Sequence, residues 1–219
     1  MSAPRLTGLL GGTFDPVHNG HLHIAQSAIS ELGFDHVALV PCKIPVHREQ
    51  PIAGAEQRLA MLQLAVADNP ALAINDIELN RDLPSYTFNT LTELRRIDNE
   101  TRFCCLLGVD AFLEFTQWYR WRQILELAHL LVIKRPGYQV ESNEEMERLL
   151  QRHYLDNVQQ LRQTPVGGIV IVELNAPDIS ATHIRQRLAS GADVSNLVPA
   201  PVNAWLEQYP IYSQEKIVS

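Results

Sequence analysis

The sequence has little cysteine, no excess of basic side chains and no long apolar run. No apolar stretch approaches the roughly 18 residues of a transmembrane helix. The N-terminus also lacks a basic segment followed by an apolar one, so we expect neither a membrane span nor a signal peptide. The three cysteines, Cys42, Cys104 and Cys105, are an odd number without the spacing of a metal site. We therefore expect a reducing compartment, the cytoplasm, with Cys104 and Cys105 as buried apolar side chains.

The charge balance is acidic, with 18 Lys and Arg against 25 Asp and Glu and a formal net charge of −7. This balance argues against a nucleic-acid binder, which would usually carry a basic face, but not against a small anionic substrate met by a local cluster of cations.

Because 46% of the 219 residues are hydrophobic, we expect a single domain over residues 1–219 with one full core. The C-terminal part, from about residue 176, would carry the last motif and the closing helices.

Short apolar runs along the chain indicate buried parallel strands. A weaker candidate, Leu72–Ile77, alternates between apolar and polar residues. The clearer strands are Leu6–Leu10, Val37–Val40, Phe103–Leu107, Leu130–Ile133 and Ile169–Val172.

Apolar residues at three- and four-residue steps fill the intervals and predict helices. Strands that alternate with helices indicate an α/β fold, here a Rossmann-like, doubly wound and mostly parallel sheet flanked by helices. Ligands of such sheets bind beyond the carboxyl ends of the strands, which places the expected site directly after Leu10. The predicted helices are His21–Leu32, Ala55–Ala67, Thr87–Ile97, Asn143–Leu161, Thr182–Ala189 and Pro201–Gln208.

The first motif, residues 11–21, reads Gly-Gly-Thr-Phe-Asp-Pro-Val-His-Asn-Gly-His and follows the first strand. Its glycines, Gly11 and Gly12, let the backbone approach a ligand closely. His18 and His21 flank a further glycine where a helix should start, and a helix N-terminus favours anions. Two imidazoles there can donate hydrogen bonds to phosphoryl oxygens, which suits nucleotidyl transfer.

Two plainer interpretations of the histidine pair exist. A bare His-x-x-His is more often a helix cap and a surface histidine. A zinc site is a second possibility, although no third ligand is suggested nearby. The order of strand, double glycine, turn, histidine pair and helix favours the nucleotide interpretation.

The second motif, residues 179–185, reads Ile-Ser-Ala-Thr-His-Ile-Arg. Ser180 is a natural N-cap, and its hydroxyl, that of Thr182 and the free helix amides form another anion cradle. Arg185 projects about one turn further and adds a forked, permanently charged donor. Alone, this pattern would be an ordinary capped helix with a solvated arginine.

Together the two motifs resemble the His-x-Gly-His and Ile-Ser-x-Thr-x-Ile-Arg elements of the nucleotidyltransferase superfamily. The resemblance implies that His18 and His21 bind ATP phosphates and stabilise the transition state, and that the second motif grips the triphosphate. The residues it assigns to ATP binding are Gly11, Gly12, Thr13, Phe14, His18, His21, Gly108, Asp110, Ser180, Thr182 and Arg185, with His18, His21 and Arg185 as the catalytic group.

The middle of the chain carries further polar and aromatic residues. Lys43 and His47 lie on the loop 41–53, a candidate lid, where they could receive a second phosphate or remain solvated cations. Asp110, after the strand that ends at Gly108, could accept ribose hydroxyls. Hydroxyls and free amides open the helix at Ser85, Tyr86 and Thr87, and flat aromatic surface, more often core than ligand platform, follows at Trp118 and Tyr119.

In order, these segments resemble the bacterial nicotinate mononucleotide adenylyltransferases from Leu9 to about Tyr209. The resemblance implies that Lys43 and His47 touch the mononucleotide phosphate. It implies that Ser85, Tyr86 and Thr87, with Trp118 and its neighbour Tyr119, hold the pyridine ring. Val46 stands where many members have a second proline, and Arg135, in a matching Arg-Pro-Gly, has no assigned role.

The expected reaction is in-line attack by the 5′-phosphate of nicotinate mononucleotide on the α-phosphorus of ATP, which releases pyrophosphate and forms deamido-NAD. Mg²⁺ is expected on the ATP phosphates, because no carboxylate cage is evident. A nucleotidyltransferase acting on phosphopantetheine, or on glycerol phosphate with CTP, is the rival enzyme, and a non-catalytic nucleotide sensor is the alternative of another class.

The oligomeric state is not predicted. A stripe of residues 146, 149, 150, 154, 158 and 161 could be core or interface, with core favoured.

Overall fold

The computed structural model describes residues 4–45, 50–134 and 144–213. Its strands are the apolar runs expected from the sequence, and they form one six-stranded sheet in which every pairing is parallel. The strands are β1 (Leu6–Gly12), β2 (His36–Pro41), β3 (Leu72–Ile74), β4 (Arg102–Gly108), β5 (His129–Lys134) and β6 (Ile169–Glu173). Their order across the sheet is β3-β2-β1-β4-β5-β6.

This order confirms the predicted Rossmann-like, doubly wound arrangement. The chain winds outward from β1 to β3, then returns to the middle and winds the other way from β4 to β6. The direction changes between β1 and β4, and in open parallel sheets the crevice at such a switch point is where ligands bind.

The first strand is longer than predicted. Gly11 pairs with Val40 and Gly12 with Pro41, so both glycines belong to β1. The ladder continues one step further, since the Cys42 amide donates to the Gly12 carbonyl at 3.0 Å. By contrast β3 has only three residues, because its pairing with β2 stops at Ile74.

Helices cover both faces of the sheet, and the helix predicted over Thr87–Ile97 has those bounds in the structure. Three short elements after β4 were not expected: two brief α-helices and a 3-10 turn at Phe115–Gln117. No helix within the described residues is long and apolar enough to cross a membrane. The α-helices are α1 (Asn19–Ser30), α2 (Ala55–Val66), α3 (Thr87–Ile97), α4 (Val109–Leu113), α5 (Trp121–Ile124), α6 (Glu144–His153), α7 (Val158–Gln163), α8 (Ala181–Ala189) and α9 (Ala200–Gln208).

The prediction of one helix over Asn143–Leu161 is wrong, because α6 and α7 are separate. After α6 the chain forms a bridge with β6, in which the Leu155 amide donates to the Ile169 carbonyl at 2.8 Å. Asn157 then caps α7, its side chain accepting from the Gln160 amide. A backbone that hydrogen-bonds to a strand cannot also continue the helical ladder, so the helix ends.

Most of the stripe along these helices is core, as favoured from the sequence. Met146, Leu149, Val158 and Leu161 are buried, while Tyr154, at the break, is 49% exposed.

Two hydrophobic layers hold the helices against the sheet. Alternate residues of β1 supply both layers, since Leu6 and Leu10 face one and Leu9 faces the other. The first layer includes residues of α1, α2, α7, α8 and α9, and the second residues of α3 to α6. Cys104 and Cys105 are buried on opposite faces, as predicted for small apolar side chains.

Candidate active site

The first motif leaves the sheet at its centre, next to the switch point. Gly12 is the last residue of β1, and a Cβ there would lie 3.0 Å from the ring of Phe14. A side chain at position 12 would therefore crowd this ring, and glycine leaves room for it. Phe14 adopts a left-handed backbone conformation (φ 52°) and is only 2% exposed. Its ring packs in the core beneath the turn, so the ring supports the motif from inside the molecule.

The two histidines of the motif stack on one another. His18 is the N-cap of α1 and His21 lies in its first turn, with ring centroids 3.6 Å apart and planes 21° from parallel. The His21 Nδ1 accepts the His18 backbone N–H at 3.3 Å, so in the neutral ring the proton sits on Nε2. A Cβ on Gly20 would come within 3.1 Å of the His18 Nδ1, so the glycine makes room for the stack.

Burial decides the charge of His18. The side chain is buried, and this lowers the pKa of its imidazole from 6.5 to about 4. At neutral pH His18 is therefore uncharged and donates through one ring nitrogen only. Its Nδ1 is buried and has no hydrogen-bond partner within the described part of the chain. A polar atom in that situation usually meets a ligand or a water molecule.

The second motif starts α8 with the cap that the sequence predicted. The Ser180 hydroxyl accepts the His183 backbone N–H at 3.2 Å. Thr182 is exposed on the first turn, and Ile184 anchors the helix from the opposite side because it is fully buried. The cap and the anchor leave the polar face of the helix start at the surface.

The two motifs meet at Arg185. Its Nη1 donates to the Asp15 backbone oxygen at 2.7 Å, and its Nη2 donates to the Thr182 hydroxyl at 3.3 Å. Gly20 also lies against the second motif, since a Cβ there would be 3.7 Å from the Cβ of Ile179. The fold thus joins two predicted phosphate cradles that are far apart in sequence.

A cavity of about 250 Å³ opens beside the first motif. Its walls include Gly11, Gly12 and Thr13 and, from the middle of the chain, five further predicted residues. Apolar side chains from β1, β2 and β4 complete much of the lining. The five are Ser85, Tyr86, Thr87, Trp118 and Tyr119.

The cavity wall combines a helix start with aromatic rings. Tyr86 is the N-cap of α3, whose first turn has neither a side-chain cap nor an acidic residue. The rings of Tyr86 and Tyr119 lie 4.7 Å apart, and Trp118 packs edge-on against Phe115 at 5.6 Å. The cavity is therefore lined by apolar and aromatic surface beside the positive end of a helix.

Other predicted residues lie around these features. Gly108 and Asp110 are exposed at the carboxyl end of β4. The Lys43 backbone N–H donates to the Ser85 hydroxyl at 3.1 Å, and its ammonium pairs with Asp82 at 2.7 Å. Asp82 is 99% exposed, so this ion pair contributes little to stability.

Three sequence predictions lie outside the described residues. They are the mononucleotide contact of His47, the effect of Val46 on loop 41–53, and any role of Arg135.

Several residues of the site were not predicted. Asp15 is only 4% exposed and accepts four hydrogen bonds, three at its carboxylate and one at its backbone oxygen. Arg58 is buried and donates to the Thr13 carbonyl at 2.7 Å. The sequence contained a sign of this role for Arg58. It is a charged residue on the otherwise apolar face of α2, three positions before Met61. Nothing in the sequence pointed to Tyr212.

A further acid lies in the cavity wall. The Glu78 carboxylate is buried and accepts the Thr90 hydroxyl, while the Arg81 guanidinium lies 3.7 Å away. Thr90 also accepts from Arg81 at 2.7 Å. This network holds the first turns of α3 to the loop that precedes it.

A doubly wound parallel sheet in which the two predicted phosphate-binding motifs meet beside a cavity is the arrangement expected of a nucleotidyltransferase, and comparison with known proteins agrees. Residues 9–187 match the cytidylyltransferase-like family. A protein of Aeromonas hydrophila named probable nicotinate-nucleotide adenylyltransferase is 43% identical over 94% of this chain and 96% of its own length. A protein of Yersinia pestis with the same name is 40% identical over 94% of this chain and 95% of its own. The chain belongs to the cytidylyltransferase-like family and, within it, to the nicotinate-nucleotide adenylyltransferases.

Solved structures share the fold. One is the nicotinic acid mononucleotide adenylyltransferase of Plasmodium falciparum complexed with NaAD. It superposes on this chain with a TM-score of 0.73 at 13% sequence identity, and the superposition covers 95% of this chain and 97% of the Plasmodium chain. The same enzyme complexed with APC superposes with a TM-score of 0.71.

Proposed function

We propose that this chain transfers the AMP part of ATP to nicotinate mononucleotide, with deamido-NAD and pyrophosphate as products, in NAD biosynthesis. The observation that carries the proposal is the hydrogen bond from Arg185 to Asp15, because it joins two donor-rich helix starts beside a cavity lined by aromatic rings. The names of the curated relatives supply the substrate. Residues 1–219 would act as one domain.

In the proposed reaction a 5′-phosphate oxygen of the mononucleotide attacks the α-phosphorus of ATP. The new P–O bond forms opposite the bond to the β-phosphate, and pyrophosphate leaves with the electron pair of the broken bond. The attacking phosphate is already ionised at neutral pH, so no protein nucleophile is required. The protein acts by positioning both substrates and by stabilising the charge on the transferring group.

The stacked histidines would stabilise that charge. The donor of His21 is Nε2, because its Nδ1 already accepts the His18 backbone N–H. His18 is neutral and buried, so it contributes a hydrogen-bond donor and no positive charge. Placing one polar donor on each ring avoids the repulsion of two stacked imidazolium ions.

Arg185, Ser180 and Thr182 would hold the triphosphate, with Gly11, Gly12, Thr13, the backbone of Phe14, Gly108 and Asp110 beside the rest of ATP. The Arg185 fork is oriented by Asp15 and Thr182, which leaves less rotamer entropy to be lost when phosphate binds. An oriented fork can donate two parallel hydrogen bonds, which a lysine cannot.

The cavity would receive the pyridine ring of the mononucleotide. Tyr86, Tyr119 and Trp118 offer flat surface, and the first turn of α3 offers backbone donors near Thr87 for a carboxylate. Ser85 would lie beside the ring with Tyr86 and Thr87, and Lys43 and His47 would lie toward the phosphate of the mononucleotide. Lys43 would then exchange its exposed partner Asp82 for the substrate phosphate.

Mg²⁺ would enter on ATP. Within residues 4–45, 50–134 and 144–213, no group of three or more His, Cys, Asp or Glu side chains could hold a metal ion. The side chains at the proposed triphosphate site are hydrogen-bond donors, so they suit phosphate oxygens better than a cation. The ion would neutralise phosphate charge and would be held mainly by the phosphate oxygens themselves.

Turnover with defined substrates tests the proposal. The protein with ATP and MgCl₂ should release pyrophosphate with nicotinate mononucleotide, and mass spectrometry should identify deamido-NAD. His18→Ala, prepared identically, controls for a contaminating enzyme. Turnover only with phosphopantetheine, or only with glycerol phosphate and CTP, would assign the chain to another nucleotidyltransferase. ATP binding without turnover of any acceptor would indicate a nucleotide sensor.

A further inference from the structure

Asp15 is a buried carboxylate within the first motif, with three hydrogen-bond donors from two parts of the chain. Its Oδ2 accepts the Ile52 backbone N–H at 2.9 Å and its Oδ1 accepts that of Ala53 at 3.0 Å. These two bonds fasten the C-terminal end of the loop 41–53 to the motif. A carboxylate removed from water in this way is stable only while such donors remain in place.

The third donor comes from the other end of the chain. The Tyr212 hydroxyl donates to the Asp15 Oδ1 at 2.7 Å, although 197 residues separate them. Tyr212 is only 1% exposed. Burial, and then the neighbouring Asp15 carboxylate, raise the pKa of the Tyr212 phenol, so the hydroxyl stays protonated and remains a donor.

Asp15 in turn holds Arg185. The tight contact is the one from Arg185 Nη1 to the Asp15 backbone oxygen at 2.7 Å, while the same nitrogen lies 3.7 Å from the carboxylate Oδ2. The carboxylate therefore acts on Arg185 chiefly by fixing the conformation of its own residue. On the other side of the turn, Arg58 donates to the carbonyls of Thr13 at 2.7 Å and Ala53 at 3.2 Å.

We propose that Tyr212 and Asp15 are positioning residues: the Tyr212 hydroxyl fixes the Asp15 carboxylate, and Asp15 holds the Arg185 guanidinium in the orientation that grips the ATP phosphates. The inference rests on the proposed role of Arg185 in ATP binding. It gives the C-terminal segment after α9 a part in the reaction, since that segment delivers Tyr212 to the motif.

Calorimetric binding of α,β-methylene-ATP to the full chain tests this without turnover. Tyr212→Phe keeps the buried ring and removes only the hydroxyl. It should weaken the affinity on the order of tenfold, the scale of one hydrogen bond to a charged group. Tyr209→Phe is the matched control, because Tyr209 belongs to the same segment and is 46% exposed. It should bind as the wild type does.

A second variant separates positioning from general loosening of the fold. If Tyr212 acts through Arg185, the two substitutions should not be additive. Adding Tyr212→Phe to the Arg185→Lys variant should then weaken binding of the analogue by less than about threefold. Wild-type affinity in Tyr212→Phe would overturn the proposal, and so would an equal loss in both backgrounds. Absence of analogue binding by the wild type would also overturn it. If the wild type binds the analogue but does not turn over nicotinate mononucleotide, the proposed function is refuted. The analogue affinities of the variants would still decide whether Tyr212 acts through Arg185.

Discussion

Arg185 donates a hydrogen bond from Nη1 to the Asp15 backbone oxygen at 2.7 Å, across 170 residues of sequence. This contact places the start of α8 beside the turn that precedes α1. Each helix start brings donors for an anion, and the contact makes one continuous donor surface of the two. Substitutions of the histidines on α1 and of Arg185 on α8 each test one side of this surface.

Loss of either stacked histidine should impair the chemical step. His18→Ala or His21→Ala is expected to lower kcat by about 10²-fold or more, the scale for one transition-state donor. The KM values should change less, because the interaction strengthens as charge develops. Steady-state kinetics with nicotinate mononucleotide and ATP measure both parameters. His23→Ala, on the same helix beyond the stack, should retain wild-type kcat. Near-wild-type turnover of His18→Ala or His21→Ala would show that the altered histidine has no catalytic role.

Replacing the guanidinium fork by an ammonium should affect one substrate more than the other. Arg185→Lys is expected to raise the KM for ATP severalfold, because a single ammonium nitrogen lacks the planar fork whose separate nitrogens reach Asp15 and Thr182 and can face a phosphate. The KM for the mononucleotide should stay within about twofold, since Arg185 is not among the residues that line the cavity. Initial rates with each substrate varied in turn distinguish the two.

Arg187→Lys is the matched control on α8. Arg187 lies in the last turn of α8, where its Nε donates to the carbonyl of the exposed Asp193 at 2.9 Å. It should leave both KM values unchanged. Equal losses for both substrates in Arg185→Lys would mean that Arg185 acts on the fold as a whole.

The acid form of the pyridine substrate should be preferred. The start of α3 has no side-chain cap and no acid in its first turn, and its dipole favours a carboxylate by about 0.3–1 kcal/mol. An amide would turn N–H groups toward backbone donors, and each misplaced buried polar group costs about 1–3 kcal/mol. Two such mismatches correspond to a preference on the order of a hundredfold in kcat/KM.

The buried acid of the cavity wall does not reverse this expectation. Glu78 accepts the Thr90 hydroxyl and faces the Arg81 guanidinium, so its charge is partly balanced. Competition between nicotinate and nicotinamide mononucleotides in one reaction gives the ratio of kcat/KM directly. Parity, or a preference for the amide, would contradict this assignment of the cavity.

Acid should destabilise the fold through a second buried histidine, far from the motifs in sequence. His129 is fully buried at the start of β5, where its Nδ1 accepts the Gly168 N–H at 3.0 Å. Burial, then the charges of Arg102 and Arg95, lower the pKa of His129 from 6.5 to about 4. The unfolded chain therefore binds this proton more readily, so the stabilisation is complete above about pH 6.5 and is lost as the pH falls toward 4.

Urea unfolding at pH 7.5 and pH 4.5 measures the effect. His129 alone should contribute at most about 3 kcal/mol to the difference in free energy of unfolding. His129→Asn keeps an acceptor for Gly168 and does not titrate, so the difference between the two pH values should shrink. His23→Asn, on a partly exposed side chain, should leave it unchanged. An undiminished pH dependence in His129→Asn would mean that other groups cause it.

Local sequence was enough to predict most of the secondary structure. The central strands are largely buried on both faces, so they appear as nearly unbroken apolar runs, and the alternation of runs with helical periodicity is typical of a parallel sheet. The bounds of α3 and the cap at Ser180 depend on neighbouring residues only, and the structure agrees with both. Where a distant strand competed for the backbone, as at Leu155, local periodicity failed.

The sequence by itself determined the residue types of the site, because the histidine pair, the capped Ser-x-Thr-x-x-Arg helix start and the aromatic segment are each contiguous. Only the tertiary structure decided how they act together. The 3.6 Å stacking of His18 on His21 depends on the space left by Gly20 and on burial. The link from Tyr212 through Asp15 to Arg185 has no sequence signal, since its members have no common periodicity and each of its two contacts joins residues that are 170 or more positions apart. Distant residues become partners only when the sheet and its helices bring them to one place, because a buried charge must find donors wherever the fold supplies them.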